Sequence, residues 1–357
     1  MIRTVIQITM SVVVLVAVLG CDDDGPVEPG DVRYNIYIAA LDWVDGNATD
    51  PLYIIDADSM VVIDSIPRIG SLHDMEVSPD GRWLYTFVHR GSVSGCPNDS
   101  LRRIDIKNKR VDWAIPSGLD TRIQLLDGGS KILRRWSRHS ICPAGEELLD
   151  ATTGELLRVL PDSLLYQEGP INGTEVAAII GDPLGARIVA VDVETDVIRG
   201  RIVPKLPSGQ KLFPSFAELH PDGETVLAIA GLTTDLAWGM VGNLRTGEWL
   251  LTERIYDVNS AGTISTDGAL ALISDMNSGL SVFELDSLIY RGRVSIPGGQ
   301  VEFVGDTKSA IMCGRGDYFH ATHPVVRVDV NQLEPTHAVE LPLPSPLLGA
   351  MTVGRRP

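Results

Sequence analysis

His73-Asp74 places an imidazole beside a carboxylate, the pairing on which general acid–base chemistry is built. Asp120 and Glu168 lie at comparable places further along, each near a second polar side chain, Arg122 and Gln167. A substrate held among His73, Asp74, Asp120 and Glu168 would meet proton donors and acceptors of different strength. A second cluster, "CGRGDYFHATHP", holds His320 and His323, and imidazole suits zinc, copper and nickel. Their separation matches no HxH, HExxH or CxxC spacing, so they are only weak metal candidates, and no metal is assigned. His89-Arg90 and Arg138-His139 complete the set. Seven histidines scattered over 357 residues are also what an ordinary polar rim supplies. No Ser-His-Asp arrangement and no cofactor-binding glycine pattern stands out, so no cofactor is expected. The residues lean away from an enzyme while leaving catalysis open.

The elements that position these residues repeat. "LYIIDADSMVVIDSIP", "LRRIDIKNKRVDWAIP", "EELLDATTGELLRVLP", "IVAVDVETDVIRGRIVP", "GMVGNLRTGEWLLTERI", "SVFELDSLIYRGRVSIP" and "VVRVDVNQLEPTHAVELP" share one plan. Each is an apolar strand ending at an acid or Asn, a polar turn, and a second strand. The anchors Asp56, Asp105, Asp150, Asp192, Asn243, Glu284 and Asp329 recur every 41 to 51 residues, a period suited to propeller blades. Between them run hairpin signals such as "VSPDGRWLYTF", "LHPDGETVLAI" and "ISTDGALALIS", with Asp-Gly or Asn-Gly at Asp80, Asp127, Asn172, Asp222 and Asp267, and a degenerate copy at Gly305-Asp306. No segment longer than a turn has helical periodicity.

Seven anchor units and six hairpins leave strands over at both ends. "YNIYIAA" precedes the first unit and "LLGAMTV" follows the last. An all-β, seven-bladed propeller of four-stranded blades, closed by the C-terminal strand pairing into the first blade, uses both. Closure also removes edges that would template aggregation. "VSPDGRWLYTF" and "YIIDADSMVVIDSIPRIG" resemble the YVTN-type repeat of quinoprotein-dehydrogenase-like propellers. The resemblance covers 33–357 and implies a fold, since relatives include both binding platforms and redox or lactonase-like enzymes. In such blades the inner strand leads into the DG turn. Loops on the opposite face usually form the functional surface, and His73, Asp120 and Glu168 fall there as channel-mouth residues.

The N-terminus reads separately. Arg3 precedes an apolar run too short for a comfortable membrane span, as in a secretory signal. Val18-Leu19-Gly20-Cys21 resembles the lipobox of bacterial lipoproteins. That implies a signal peptide at 1–20, lipidation of Cys21 and an acidic Gly/Pro tether at 21–32 ahead of the propeller at 33–357. An exported location permits disulfides. Cys96 in "SGCPND" and Cys142 in "SICPAG" occupy the same loop of adjacent blades and form a possible pair. Cys313, ending "SAIMC", reads as core. The formal net charge of −17 argues against nucleic acid and anionic membrane surfaces as direct partners. The expected role is a membrane-tethered, cell-envelope module, facing the periplasm or the surface, that binds an envelope protein, peptide or glycan. The alternative is an enzyme or redox subunit with a site at the channel mouth.

Overall fold

The computed structural model describes residues 32–40, 51–67, 71–89, 99–117, 121–136, 145–181, 186–233, 236–255, 261–275, 279–285, 289–296, 299–305, 308–314, 322–342 and 348–357. The chain divides into Met1–Val32 and Arg33–Pro357, and the second unit carries the fold. Seven sheets of four antiparallel strands follow one another. Blade 1 closes the ring: Leu348–Arg355 pairs with Tyr34–Ala40, with Ile36 opposite Val353 and Ile38 opposite Met351. The remaining innermost strands are Ser71–Val77, Arg122–Leu126, Leu165–Tyr166, Phe213–Leu219, Ala261–Ile264 and Gly299–Phe303, in blades 2 to 7.

The recurring anchors are local turn devices. Asp150 Oδ1 accepts the backbone N–H of Thr152 (2.8 Å) and Thr153 (2.7 Å). Asp56, Asp192, Asn243 and Asp329 accept from the residues two and three ahead in the same way. A short polar side chain reaches its own turn, which is why Asp and Asn recur there. The DG hairpins are wider than two-residue turns. Ser78 N–H donates to Trp83 O (2.9 Å), and Asp80 accepts the Ser78 hydroxyl and Arg82 N–H.

Middle strands such as Thr225–Thr233 are buried along nearly their whole length, whereas the outermost strand Val61–Ile66 is mostly exposed. A strand covered on both faces reads as a continuous apolar run. The cover is the neighbouring blade. The described core falls into seven clusters, and each joins two adjacent blades. One example packs Ile188 and Ile202 of blade 4 on Leu219 and Val226 of blade 5. Cys313 is a buried free thiol in the cluster between blades 7 and 1, as a core residue should be. Cys21, Cys96 and Cys142 lie outside the described residues.

Candidate functional site

Each innermost strand runs along the central channel and presents polar side chains to it. On blade 2, Asp74 Oδ1 accepts Met75 N–H (3.1 Å) and Oδ2 accepts Ile123 N–H of blade 3 (2.7 Å). Gln124 of blade 3 donates Nε2 to Gly169 O of blade 4 (2.5 Å). Glu218 Oε1 of blade 5 accepts Ile264 N–H of blade 6 (3.2 Å). Glu302 Oε2 of blade 7 accepts Val353 N–H of blade 1 (2.7 Å), and the Thr352 hydroxyl donates to the same carboxylate. A side chain on one inner strand thus staples the backbone of the next.

Glu168 does this with its main chain. Blade 4 has an inner strand of only two residues, and the chain then bulges. Glu168 N–H donates to Ala217 O (3.1 Å) and Glu168 O accepts Leu219 N–H (2.9 Å), splicing blade 4 to blade 5. Its carboxylate faces Arg135 at 3.9 Å. Arg135 also donates to Tyr166 O and stands directly opposite Arg122 on one side and Glu146 on the other.

The carboxylates act on one another. Burial is the largest influence on Glu76 and raises its pKa well above the ordinary value, with further increases from Glu302, Asp74, Glu168 and Glu218. Glu218 is raised by burial and then by Glu168 and Glu302. Glu302 is pushed up to about 8 and Asp74 to about 6, burial leading in both. For Asp74 the Ile123 hydrogen bond and the Arg122 and Arg135 charges partly offset it. Glu146, beside Arg135, is pushed up to about 8 by burial. Asp74, Glu76, Glu218 and Glu302 are half-buried, and Glu146 is buried.

Of the sequence-derived residues, the structure brings Asp74 and Glu168 into this channel. The backbone of His73 belongs to the same inner strand and that of His323 to Thr322–Asp329 of blade 7. Their side chains, together with Asp120 and His320, lie outside the described residues. Glu76, Glu218 and Glu302 escaped the sequence reading, although a signal was present. Glu76, Glu168, Glu218 and Glu302 each stand four residues ahead of the turn residue, Asp80, Asn172, Asp222 or Asp306. Thr263 likewise stands four residues ahead of Asp267 in blade 6, while in blade 3 Gln124 stands three ahead of Asp127.

Fold and site together define a closed seven-bladed β-propeller with a carboxylate-lined channel. No protein-family model matches the sequence, and no curated protein matches it. Among solved structures, the chain is similar to a functionally unknown protein from Desulfotomaculum acetoxidans (10% identity, TM-score 0.60), over 90% of this chain and 99% of that one. It is similar to Kuenenia stuttgartiensis hydrazine synthase at 13% identity and TM-score 0.56, over 84% and 91%. It also resembles the dihydro-heme d1 dehydrogenase NirN, solved in complex with DHE, at 18% identity and TM-score 0.53. That match covers 87% of this chain and spans 64% of the NirN chain. Identities this low establish the fold alone.

Proposed function

We propose that this protein is an exported, lipid-anchored propeller of YVTN type that binds a protein, peptide or glycan of the cell envelope. The lipobox-like Val18–Cys21 and the acidic segment behind it support the anchor and tether. The observation that carries the binding role is the commitment of Asp74. Both of its oxygens accept backbone N–H groups, one of them from the next blade. A carboxylate has about four acceptor sites, so Asp74 can hold two blades in register and still accept a donor from a ligand without leaving its place. Glu218 and Glu302 each hold another pair of blades. Groups held in this way present a fixed pattern of polar side chains whose charge depends on pH.

Native mass spectrometry of the full-length protein, extracted gently from its own membranes, tests the reading. A reproducible co-purifying envelope component is expected. A bound small-molecule cofactor with substrate turnover lost in His73→Ala would overturn it in favour of an enzyme. The denatured mass reports on the anchor: cleavage before Cys21 with added acyl chains is expected, and an intact Met1 start would rule it out.

A further inference from the structure

We infer that the channel is a receptor for a cationic side chain, an Arg or Lys carried on a basic segment of the partner. This inference rests on the binding role proposed above and names the partner's chemistry. Asp74, Glu76, Glu168, Glu218 and Glu302 come from blades 2, 4, 5 and 7, and bonds between inner strands tie them together: Asp74 to Ile123 of blade 3, Glu168 bridged to Glu218 across blades 4 and 5, Glu218 to Ile264 of blade 6 and Glu302 to Val353 of blade 1. Arg122 and Arg135 are the cations set against them at this level among the described residues. Where the acids that outnumber these arginines ionise, a low-dielectric wall focuses their field toward a cation.

A second observation, independent of the acids, points the same way. Gln124 is 7% exposed, and its amide oxygen has no hydrogen-bond partner. Its position is fixed from both sides: Asp74 holds the preceding residue, Ile123, and the Gln124 Nε2 holds Gly169, next to Glu168. The amide therefore belongs to the arc of carboxylates. Gln300, two residues ahead of Glu302 on the same strand, likewise leaves its amide oxygen buried without a partner. Buried polar atoms in native proteins are normally satisfied, and one that is not asks for a missing partner. Both of these unmet atoms are acceptors, so the missing partner of each is a donor.

Size selects among donors. No three acidic, His or Cys side chains of the described residues approach closely enough to hold a metal ion. The carboxylates are carried by four different blades, which suits a ligand with several donors over a single ion. A guanidinium carries five N–H donors in a plane and pairs with carboxylates at two points, and an ammonium carries three. The Ile264 staple uses Glu218 Oε1 and leaves Oε2 for a ligand.

Calorimetric titration of the full chain in detergent with tri-arginine amide, its uncharged tri-citrulline counterpart and calcium chloride tests the inference. Saturable binding of tri-arginine amide with release of protons is expected, because the cation and the protons compete for the same carboxylates. Tri-citrulline should not bind, and Glu76→Gln with Glu218→Gln should weaken the charged peptide at least tenfold while the thermal midpoint confirms folding. Absence of saturable binding, equal affinity in the double variant, or calcium binding that displaces the peptide would each overturn it. If the double variant does not fold, Glu76→Gln alone is titrated against the same criterion. An envelope component that copurifies equally well with the folded double variant would overturn the channel as receptor while leaving the binding role standing. Failure to copurify any partner concerns that role instead.

Discussion

Asp150 holds its turn through three hydrogen bonds, from Thr152 N–H, Thr153 N–H and the Thr153 hydroxyl. These bonds pull its pKa below the ordinary value, the Thr153 backbone bond contributing most. Asp150→Ala should therefore destabilise the protein by about 1–2 kcal/mol, and Asp150→Asn by less, since the amide oxygen still accepts. Urea denaturation of both variants checks the order, and equal losses would contradict it. Cys313 gives a second residue-level expectation. Burial pushes its thiol pKa up, so it should resist alkylation until the protein unfolds. If Cys96 and Cys142 are paired, mass spectrometry of the unfolded, unreduced chain finds Cys313 alkylated and those two protected. The anchors were legible in the sequence because an Asx turn is made by neighbours along the chain. Glu76, Glu218 and Glu302 share a fixed place ahead of their turns, but what they do arises only where separate blades meet.

Strands, hairpins and the closing segment were also readable, since alternation, Asp-Gly turns and a period near 45 all follow from one repeating unit. Less readable was blade 4, where the bulge after Tyr166 hands the backbone of Glu168 to the neighbouring blade. A pairing partner outside the blade leaves no periodic trace. Ring closure has its own close approach. Gly81, in the first DG turn, adopts φ +74, and a Cβ there would lie 2.2 Å from the carbonyl oxygen of Arg355 on the closing strand. Gly128, in the next turn, has φ +66 with nothing within 4 Å. Both alanine substitutions carry the left-handed backbone cost of about 1 kcal/mol, but only Gly81→Ala also pushes the closing strand away. Gly81→Ala should lose at least about 2 kcal/mol more than Gly128→Ala by chemical denaturation, a size typical of forcing atoms into a packed site. Equal losses would mean that blade 1 yields without cost.

At the scale of the whole ring, two sets of carboxylates pull stability in opposite directions with pH. The turn aspartates Asp105, Asp127 and Asp150 have lowered pKa values, chiefly through hydrogen bonds at their turns. They release protons more readily when folded, so their contribution is present above about pH 4 and lost as pH falls below it. The channel acids do the reverse. Glu302 titrates near 8 and Asp74 near 6 in the folded ring, with Glu76 and Glu218 also raised. The native state then holds more protons than the unfolded chain from about pH 4 upward, so unfolding releases them and stability falls as pH rises through that window. The two trends place maximum stability between about pH 4 and 6. Glu302→Gln removes one such group yet keeps an oxygen for Val353 N–H. It should leave the melting temperature almost unchanged at pH 5 and raise it at pH 8, by on the order of 1 kcal/mol once channel water screens the charges. Melting curves of the wild type and variant across this range decide it; parallel curves would show that the channel carboxylates do not set the alkaline limb. Tri-arginine amide at pH 8 should recover part of the same stability in the wild type and less in Glu302→Gln, because a bound cation relieves the repulsion that the substitution has already reduced.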